Sequence, residues 1–376
     1  EGEEWQSFRS KVNPILMQPS APRMYVAPID AVANDFIDRL RDLRDEKQEI
    51  PGNFVDELHK WALESIINIS LDKRMGCLEK DLKPDSEPQK MIDALGVIFE
   101  TSFSLQIFQL WKYINTPTWK KFVEASDFFN EMAIKCINEA TERLKNLPAN
   151  DRELTILEKL LIRDPNPKIA MVMALDMFAA GVETTSFATA ITLYLLALNP
   201  EKQEKLYEEL LHHVPDQNTE LTIEKLNEMK YLKSCIKESL RLKPIVPGNI
   251  RTLTKDIVLC GYRIPKGVDV AFPNIHLCQT DKHFREAKKF LPERWIRQNG
   301  EDRPEAKNAH PFVYMPFGFG PRMCLGRRFA ELEMEVVLAK IIRNFKVEYH
   351  YEEVQFKSTL LYAPVTPLKF KFVDRK

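Results

Sequence analysis

The sequence predicts a mainly α protein with a small β-rich portion, and three observations carry that prediction. Glycine is sparse, 12 in 376 residues. Most of the chain repeats apolar residues at three- and four-residue spacing, the period of a helix with one buried face. Only after Pro244 does the pattern shorten into brief runs punctuated by glycine and proline, as strands and hairpins require. The length allows two domains, but large single domains also reach it, and we expect residues 1–376 to form one. The formal net charge of −1 gives no sign of a nucleic-acid partner, so any basic surface is local. Six cysteines, Cys77, Cys136, Cys235, Cys260, Cys278 and Cys324, are scattered with no C-x-x-C pair and no zinc-type spacing. Disulfides are therefore not expected, and a reducing compartment fits.

Taken in order, Glu1 to Val12 reads as helix, with Trp5 and Arg9 four apart on one face. On spacing alone that pair is an ordinary amphipathic surface. Pro19 and Pro22 end the pattern. Val32 to Leu43 is a helix with its charges outward. Pro51 restarts a helix to about Leu71, whose Phe54, Leu58, Trp61, Ala62, Ile66 and Ile69 belong to a core. Leu78 to Pro88 is a charged loop. Met91 to Leu110 is a helix whose Phe99, Phe103 and Phe108 are core aromatics, some of them candidates for a cavity wall. Thr118 to Lys145 is a long helix ended by a polar, proline-containing segment.

Pro167 to Leu198 is the longest helix, about 30 residues and roughly 45 Å. Its length tempts a membrane reading, but Asp176 and Glu183 interrupt it, and a buried core helix is expected. Pro200 opens a charged, exposed helix to about Val214, and Leu221 to Lys243 reads as one more. Strands are expected at Asn249–Thr254, Asp256–Leu259, Tyr262–Ile264 and Val268–Pro273. Asp281–Phe284 is a short helix or turn, and Gln298–Ala309 a polar loop. A helix follows from Arg327 to about Phe345. Val347–Tyr349 and a hairpin around Leu360–Pro367 finish the chain.

Four stretches carry chemistry. Phe317-Gly-Phe-Gly-Pro-Arg-Met-Cys-Leu-Gly326 is a glycine-rich loop that holds Cys324 at a helix start. The partial positive charge and free N–H groups of a helix N-terminus favour a thiolate, so a lowered pKa is expected. Gly318, Gly320 and Gly326 let the backbone approach something flat and large, and Arg322 is placed to pair with an acidic group on it. Within the long helix, Ala180-Gly181-Val182-Glu183-Thr184-Thr185 sets an acid beside two hydroxyls in apolar surroundings. A mid-helix glycine costs about 1 kcal/mol relative to alanine. Such a stretch is either a packing glycine with satisfied polar neighbours or a working site. Glu238-Ser-Leu-Arg241 puts an acid and a base one turn apart, commonplace for a surface pair. Pro292-Glu293-Arg294-Trp295 is the fourth stretch.

Phe317, Gly320, Arg322, Cys324 and Gly326 fit F-x-x-G-x-R-x-C-x-G at every fixed position. This resembles the haem-thiolate signature of the cytochrome P-450 superfamily. The other stretches resemble its W-x-x-x-R, [AG]-G-x-[DE]-T-[TS], E-x-x-R and P-E-R-F motifs, in the family's order, with tryptophan in place of the last phenylalanine. The resemblance implies haem b (iron-protoporphyrin IX) with Cys324 as its axial ligand. It implies Trp5, Arg9, Arg251 and Arg322 as propionate partners, and Phe317 and Gly318 as residues against the macrocycle. For Arg251 a solvent-facing strand arginine is an equal alternative. Thr184 and Glu183 would manage dioxygen and its protons, with Gly181 leaving room for oxygen. Glu238, Arg241 and Arg294 would form a buried charged triad.

Lys233-Ser-Cys-Ile-Lys237 and Leu325-Gly-Arg-Arg-Phe-Ala-Glu-Leu-Glu-Met334 look like the mitochondrial clan, and Gly248–Val258 and Trp111–Pro117 like insect members associated with xenobiotics. That implies an adrenodoxin-type 2Fe–2S ferredoxin docking on Lys233, Lys237, Arg327 and Arg328. It also implies a lipophilic xenobiotic or steroid-like substrate, a monomer, and the matrix side of the inner mitochondrial membrane. Two other readings are an electron-independent haem-thiolate isomerase or dehydratase, and a non-catalytic haem-binding or degenerate fragment. The chain begins at Glu1 in mid-pattern. The resemblance implies further fold before the W-x-x-x-R helix, so the expectation is a P-450 fold lacking its N-terminal part that binds haem poorly as given.

Overall fold

The longest apolar stretch becomes the axis of the protein. In the computed structural model, which describes residues 2–145, 154–164, 166–297 and 304–375, helix α7 spans Pro167–Leu198 as expected. Asn166 caps it by accepting from the Lys168 N–H, and Pro167 sits where a missing N–H costs nothing. Its second half is buried, Leu193 and Leu196 completely. It is long and apolar enough to cross a membrane by composition, but most of its apolar window lies inside the protein.

Helix α3 (Phe54–Leu71) lies along α7 in the most extensive helix pairing of the fold. Before it come α1 (Gly2–Leu16) and α2 (Val26–Leu43), and after it the antiparallel pair α4 (Glu87–Ile107) and α5 (Pro117–Lys145). Then follow α6 (Ile156–Arg163), α7, α8 (Pro200–His213), α9 (Ile223–Glu228), α10 (Lys230–Leu242), α11 (Asn274–Cys278) and α12 (Arg327–Asn344). Helix α12 packs on α2, α7 and α8, and α10 packs on α7. One hydrophobic core runs from Val12 to Phe372, with a small satellite around Phe284, Ala287 and Val313. Lys340 of α12, 1% exposed, reaches Asp30 of α2 at 3.1 Å and donates to the Thr219 carbonyl. A buried ammonium needs such pairing to stay charged.

The β-rich portion is four two-stranded antiparallel ribbons. Strand β1 (Asn249–Thr252) pairs with β4 (Asp269–Phe272), setting Arg251 opposite Val270. Strand β2 (Ile257–Leu259) pairs with β3 (Tyr262–Ile264), and β6 (Phe356–Ser358) with β7 (Tyr362–Pro364). Strand β5 (Phe345–Glu348) closes on β8 (Lys371–Asp374), a pairing that joins segments on either side of the last hairpin.

The differences from the sequence reading have local causes. Helix α2 begins six residues early, at Val26, because Pro28 falls in its first turn, where proline is tolerated. Helix α6 was not expected, although Thr155 and Glu158 form a complete capping box before it. The expected single helix Leu221–Lys243 is two. Met229 breaks it, and the Glu209 carboxylate accepts from the Tyr231 and Leu232 N–H groups, giving α10 an N-terminus of its own. Helix α11 and strand β8 were also not expected, and Asp281–Phe284 is a turn. Phe108, expected in the core, is 68% exposed beyond the end of α4. Most of the polar segment after Lys145, and Gln298 to Arg303 of the expected polar loop, lie outside the described residues.

Candidate haem site and its supporting network

The loop before α12 turns on Gly318 and Gly320, both at φ +68, a conformation that favours glycine. Gly326 instead has an ordinary φ of −79. A Cβ added at Gly320 or Gly326 would meet no atom within 4 Å, so the loop presents open space there. Cys324 stands in this loop, its N–H donating to the Phe317 carbonyl at 2.9 Å. The residue is accessible from one side and crowded on others. That crowding corrects the expectation of an acidic thiol. Burial raises the pKa of Cys324 in the protein alone, outweighing the Gly326 and Arg327 amides and the Arg9 charge, which all lower it. A metal that binds the sulfur deprotonates it outright.

Four of the residues expected around the loop converge on it. Arg9 of α1 donates from Nη2 to the Met323 carbonyl at 2.6 Å. Its Nε is buried with no hydrogen-bond partner among the described residues. The Arg322 guanidinium lies over the Trp5 ring, 3.5 Å from its centroid. Arg251 reaches the same loop from β1, 5.8 Å above the Phe319 ring, though its Nη1 donates to the neighbouring Ile250 carbonyl. Phe317 lies under the Arg327 guanidinium at 5.6 Å, and Gly318 abuts the Asn249 side chain of β1. Three arginines around one thiol, one with an orphaned buried donor, suit an anionic edge beside a flat group. Among the described residues no three His, Cys, Asp or Glu side chains gather to hold a metal. A lone sulfur donor suits an iron already held by a macrocycle, so these residues fit haem.

On α7 the Thr184 hydroxyl donates to the Ala180 carbonyl at 2.6 Å and keeps its oxygen lone pairs free. Glu183 is 7% exposed, and burial raises its pKa to about 7. At Gly181 an added Cβ would come 3.3 Å from Ile66 Cγ1, so the glycine also eases the close approach of α3 and α7.

The raised pKa of Glu183 has a measurable consequence. An ordinary glutamate titrates near 4.5, and this one near 7, so between those values the folded protein binds a proton that the unfolded chain has lost. Stability from this group is present at low pH and falls as pH rises through that window. Glu183→Gln is expected to match the parent near pH 4.5 and to exceed it at pH 8 by up to ~3 kcal/mol, as read from urea unfolding at the two pH values.

The E-x-x-R pair is not a surface pair. Glu238 and Arg241 are both 0% exposed and Arg294 is 2% exposed. Glu238 Oε1 accepts from Arg241 Nη2 at 2.8 Å, Arg294 Nε at 3.0 Å and the Leu291 N–H at 3.0 Å. Its Oε2 accepts from Arg241 Nε at 2.8 Å and from the Trp295 indole N–H at 2.9 Å. The tryptophan, which reads in the sequence as an aromatic exchange, is a fifth donor. No spacing rule reveals that contact; only the indole's extra N–H hints at it.

The basic surface is mixed. Lys233 sits 3.7 Å from Glu335, and Arg327 bonds Glu331 at 3.0 Å. Lys237 is exposed at its tip, but crowding lowers its pKa against the raising influence of Glu331 and Glu335. Arg328 is half-buried, and its Nε donates to the Met17 carbonyl, tying α12 to the end of α1.

Comparison with known proteins agrees with this geometry. Residues 1–372 match the family model described as cytochrome P450. The chain is 44% identical over 98% of its length to the probable cytochrome P450 301a1, mitochondrial, of Drosophila melanogaster. It is 43% identical over its whole length to cytochrome P450 CYP12A2 of Musca domestica, and 42% to the probable cytochrome P450 12c1, mitochondrial, of Drosophila melanogaster. It spans 67%, 72% and 73% of those proteins' own lengths.

Proposed function

The chain belongs to the cytochrome P450 family, whose members hold haem b and are monooxygenases, and from that premise we propose that it inserts one atom of O2 into a lipophilic small molecule. The other atom leaves as water. The observation that carries this reading is the convergence of Arg9, Arg322 and the open glycine loop on Cys324. Bound there, haem supplies oxygen activation, which a thiolate ligand promotes. Trp5, Arg9, Arg251 and Arg322 would hold its propionates, and Phe317 and Gly318 would face the macrocycle. Thr184 accepts a hydrogen bond at its free lone pairs, and Glu183, poised near neutral pH, holds and releases the proton that the chemistry consumes. The substrate we assign is a lipophilic small molecule of xenobiotic or steroid-like type.

The mitochondrial names of the relatives support a mitochondrial enzyme, acting as a monomer on the matrix side of the inner membrane. Its electrons then come singly from an adrenodoxin-type 2Fe–2S ferredoxin docking on Lys233, Lys237 and Arg327. Turnover with ferredoxin, its reductase and NADPH under 18O2 tests the reading, with one labelled oxygen expected in the product. Product formed without electrons favours an isomerase, and haem without turnover a binding protein. Lys233→Glu and Lys237→Glu are expected to raise the KM for ferredoxin ~10-fold at low salt, with kcat little changed.

A further inference from the structure

A cleft of about 460 Å3 opens beside α3 and α4 and reaches α7. Asp56 and Lys60 of α3 and Gln89 and Asp93 of α4 line it, and so do Glu183 and His59. Where α4 passes the Glu183 carboxyl it carries Gly96, whose added Cβ would stand 3.8 Å from Glu183 Oε1, so bare backbone keeps that carboxyl reachable. His59 is only partly exposed, and its Nε2 is shut from solvent with no hydrogen-bond partner among the described residues. Its ring meets Phe187 edge-on at 5.6 Å, and Phe187 lies one helical turn beyond Glu183 on α7.

A histidine that served the core alone would satisfy its ring nitrogens or expose them, because an unpaired buried nitrogen is costly. Here the histidine that carries the unpaired nitrogen and the buried acid both line one polar cleft, and a polar cleft of that size has room and partners for water. Burial lowers the His59 pKa to about 4, so the ring stays neutral, and with its proton on Nδ1 its Nε2 acts as an acceptor. The charged groups around it are Asp56 and Glu57 with Lys60 on α3, Asp93 on α4 and Glu183 on α7. Glu57 is already neutralised by Lys60 and Arg39.

We infer that this cleft is the proton entry of the enzyme and that His59 is a positioning residue, its Nε2 anchoring a water against the Glu183 carboxyl. The inference rests on the proposed proton role of Glu183. When Glu183 has given its proton inward, the anchored water passes one to the carboxylate and takes one from the water of the cleft. The net movement is one proton from bulk solvent to the carboxyl, and His59 neither gains nor loses one.

The test follows the infrared carbonyl stretch of protonated Glu183 in the haem-loaded protein, identified by its loss in Glu183→Gln. On mixing into D2O, His59→Phe is expected to slow deuteration of that carboxyl ~10-fold or more, within the range of positioned proton transfers. His59→Gln, whose amide can still anchor a water, is expected to keep nearly the parent rate. Should His59→Phe fail to fold, Gly96→Val, which narrows the cleft from α4, decides the matter and is expected to slow exchange similarly. Parent-like exchange in the deciding variant overturns the inference while leaving the role of Glu183 intact. Parent-like turnover and product per electron in Glu183→Gln overturns that role itself.

Discussion

Cys324→Ala is expected to abolish the strongly red-shifted Soret band of the reduced, carbon monoxide-bound protein, and monooxygenation with it. The argument is one of donors. The loop offers a single thiol, and no metal-binding cluster of other side chains exists among the described residues to replace it. The sulfur is also fixed. Its own N–H is tied to the Phe317 carbonyl, and the Gly326 and Arg327 amides point at it from the start of α12. Removing it leaves those amides and the Arg9 charge around an alanine. Cys324→Ser should not rescue the band, because an oxygen donor lacks the electron release of a thiolate. Cys260→Ala, at an exposed cysteine far along the sequence from the loop, serves as the matched control and should keep the band. A band that survives in Cys324→Ala would remove this residue as the ligand.

That prediction was available from the sequence alone because its motif is contiguous. A loop that must turn twice shows its glycines, and α7 shows its length and its Asn-Pro start, so both were placed correctly. The support around them was legible only where it, too, repeats a local pattern. The capping box before α6 was there to be read. The split at Met229 was not, since the group that starts α10 is Glu209, on another helix and some twenty residues earlier. Gly181 shows the limit of motif reading. Its position in the motif suggests space for oxygen, and its close approach to Ile66 of α3, a contact set by helix packing, is nowhere in the motif. The bond from Arg328 to the Met17 carbonyl and the unpaired Nε2 of His59 are long-range facts of the same kind.

Glu238→Ala is expected to be the most destabilising single change in the protein, and Trp295→Phe to show a graded form of the same defect. Glu238 accepts five hydrogen bonds, and its loss strands the charge of Arg241 and leaves Arg294 with Glu305 as its remaining carboxylate partner, both arginines being almost wholly buried. Breaking a buried ion pair by removing one partner costs about 3–5 kcal/mol, against a typical total of roughly 5–15 kcal/mol for a folded protein. Arg241 would retain its bonds from Nη1 to the Cys278 and Ala287 carbonyls, but its Nε would lose its acceptor and its charge its carboxylate. Trp295→Phe removes one donor to the carboxylate and keeps an aromatic ring, so about 1.5–3 kcal/mol is at stake. The two variants also separate stability from function. Trp295 packs on Tyr314, ring centroids 4.6 Å apart and planes tilted at 51°, and Tyr314 stands three residues before Phe317, where the cysteine loop begins. The network therefore holds that loop from behind, and both variants should lose haem at urea concentrations below those that unfold α7. Urea titrations that follow haem absorbance and far-ultraviolet dichroism together test this. Coincident transitions would mean that the buried charges carry the fold's stability without separately supporting the site, and a Glu238→Ala midpoint equal to the parent's would remove those charges as a source of that stability.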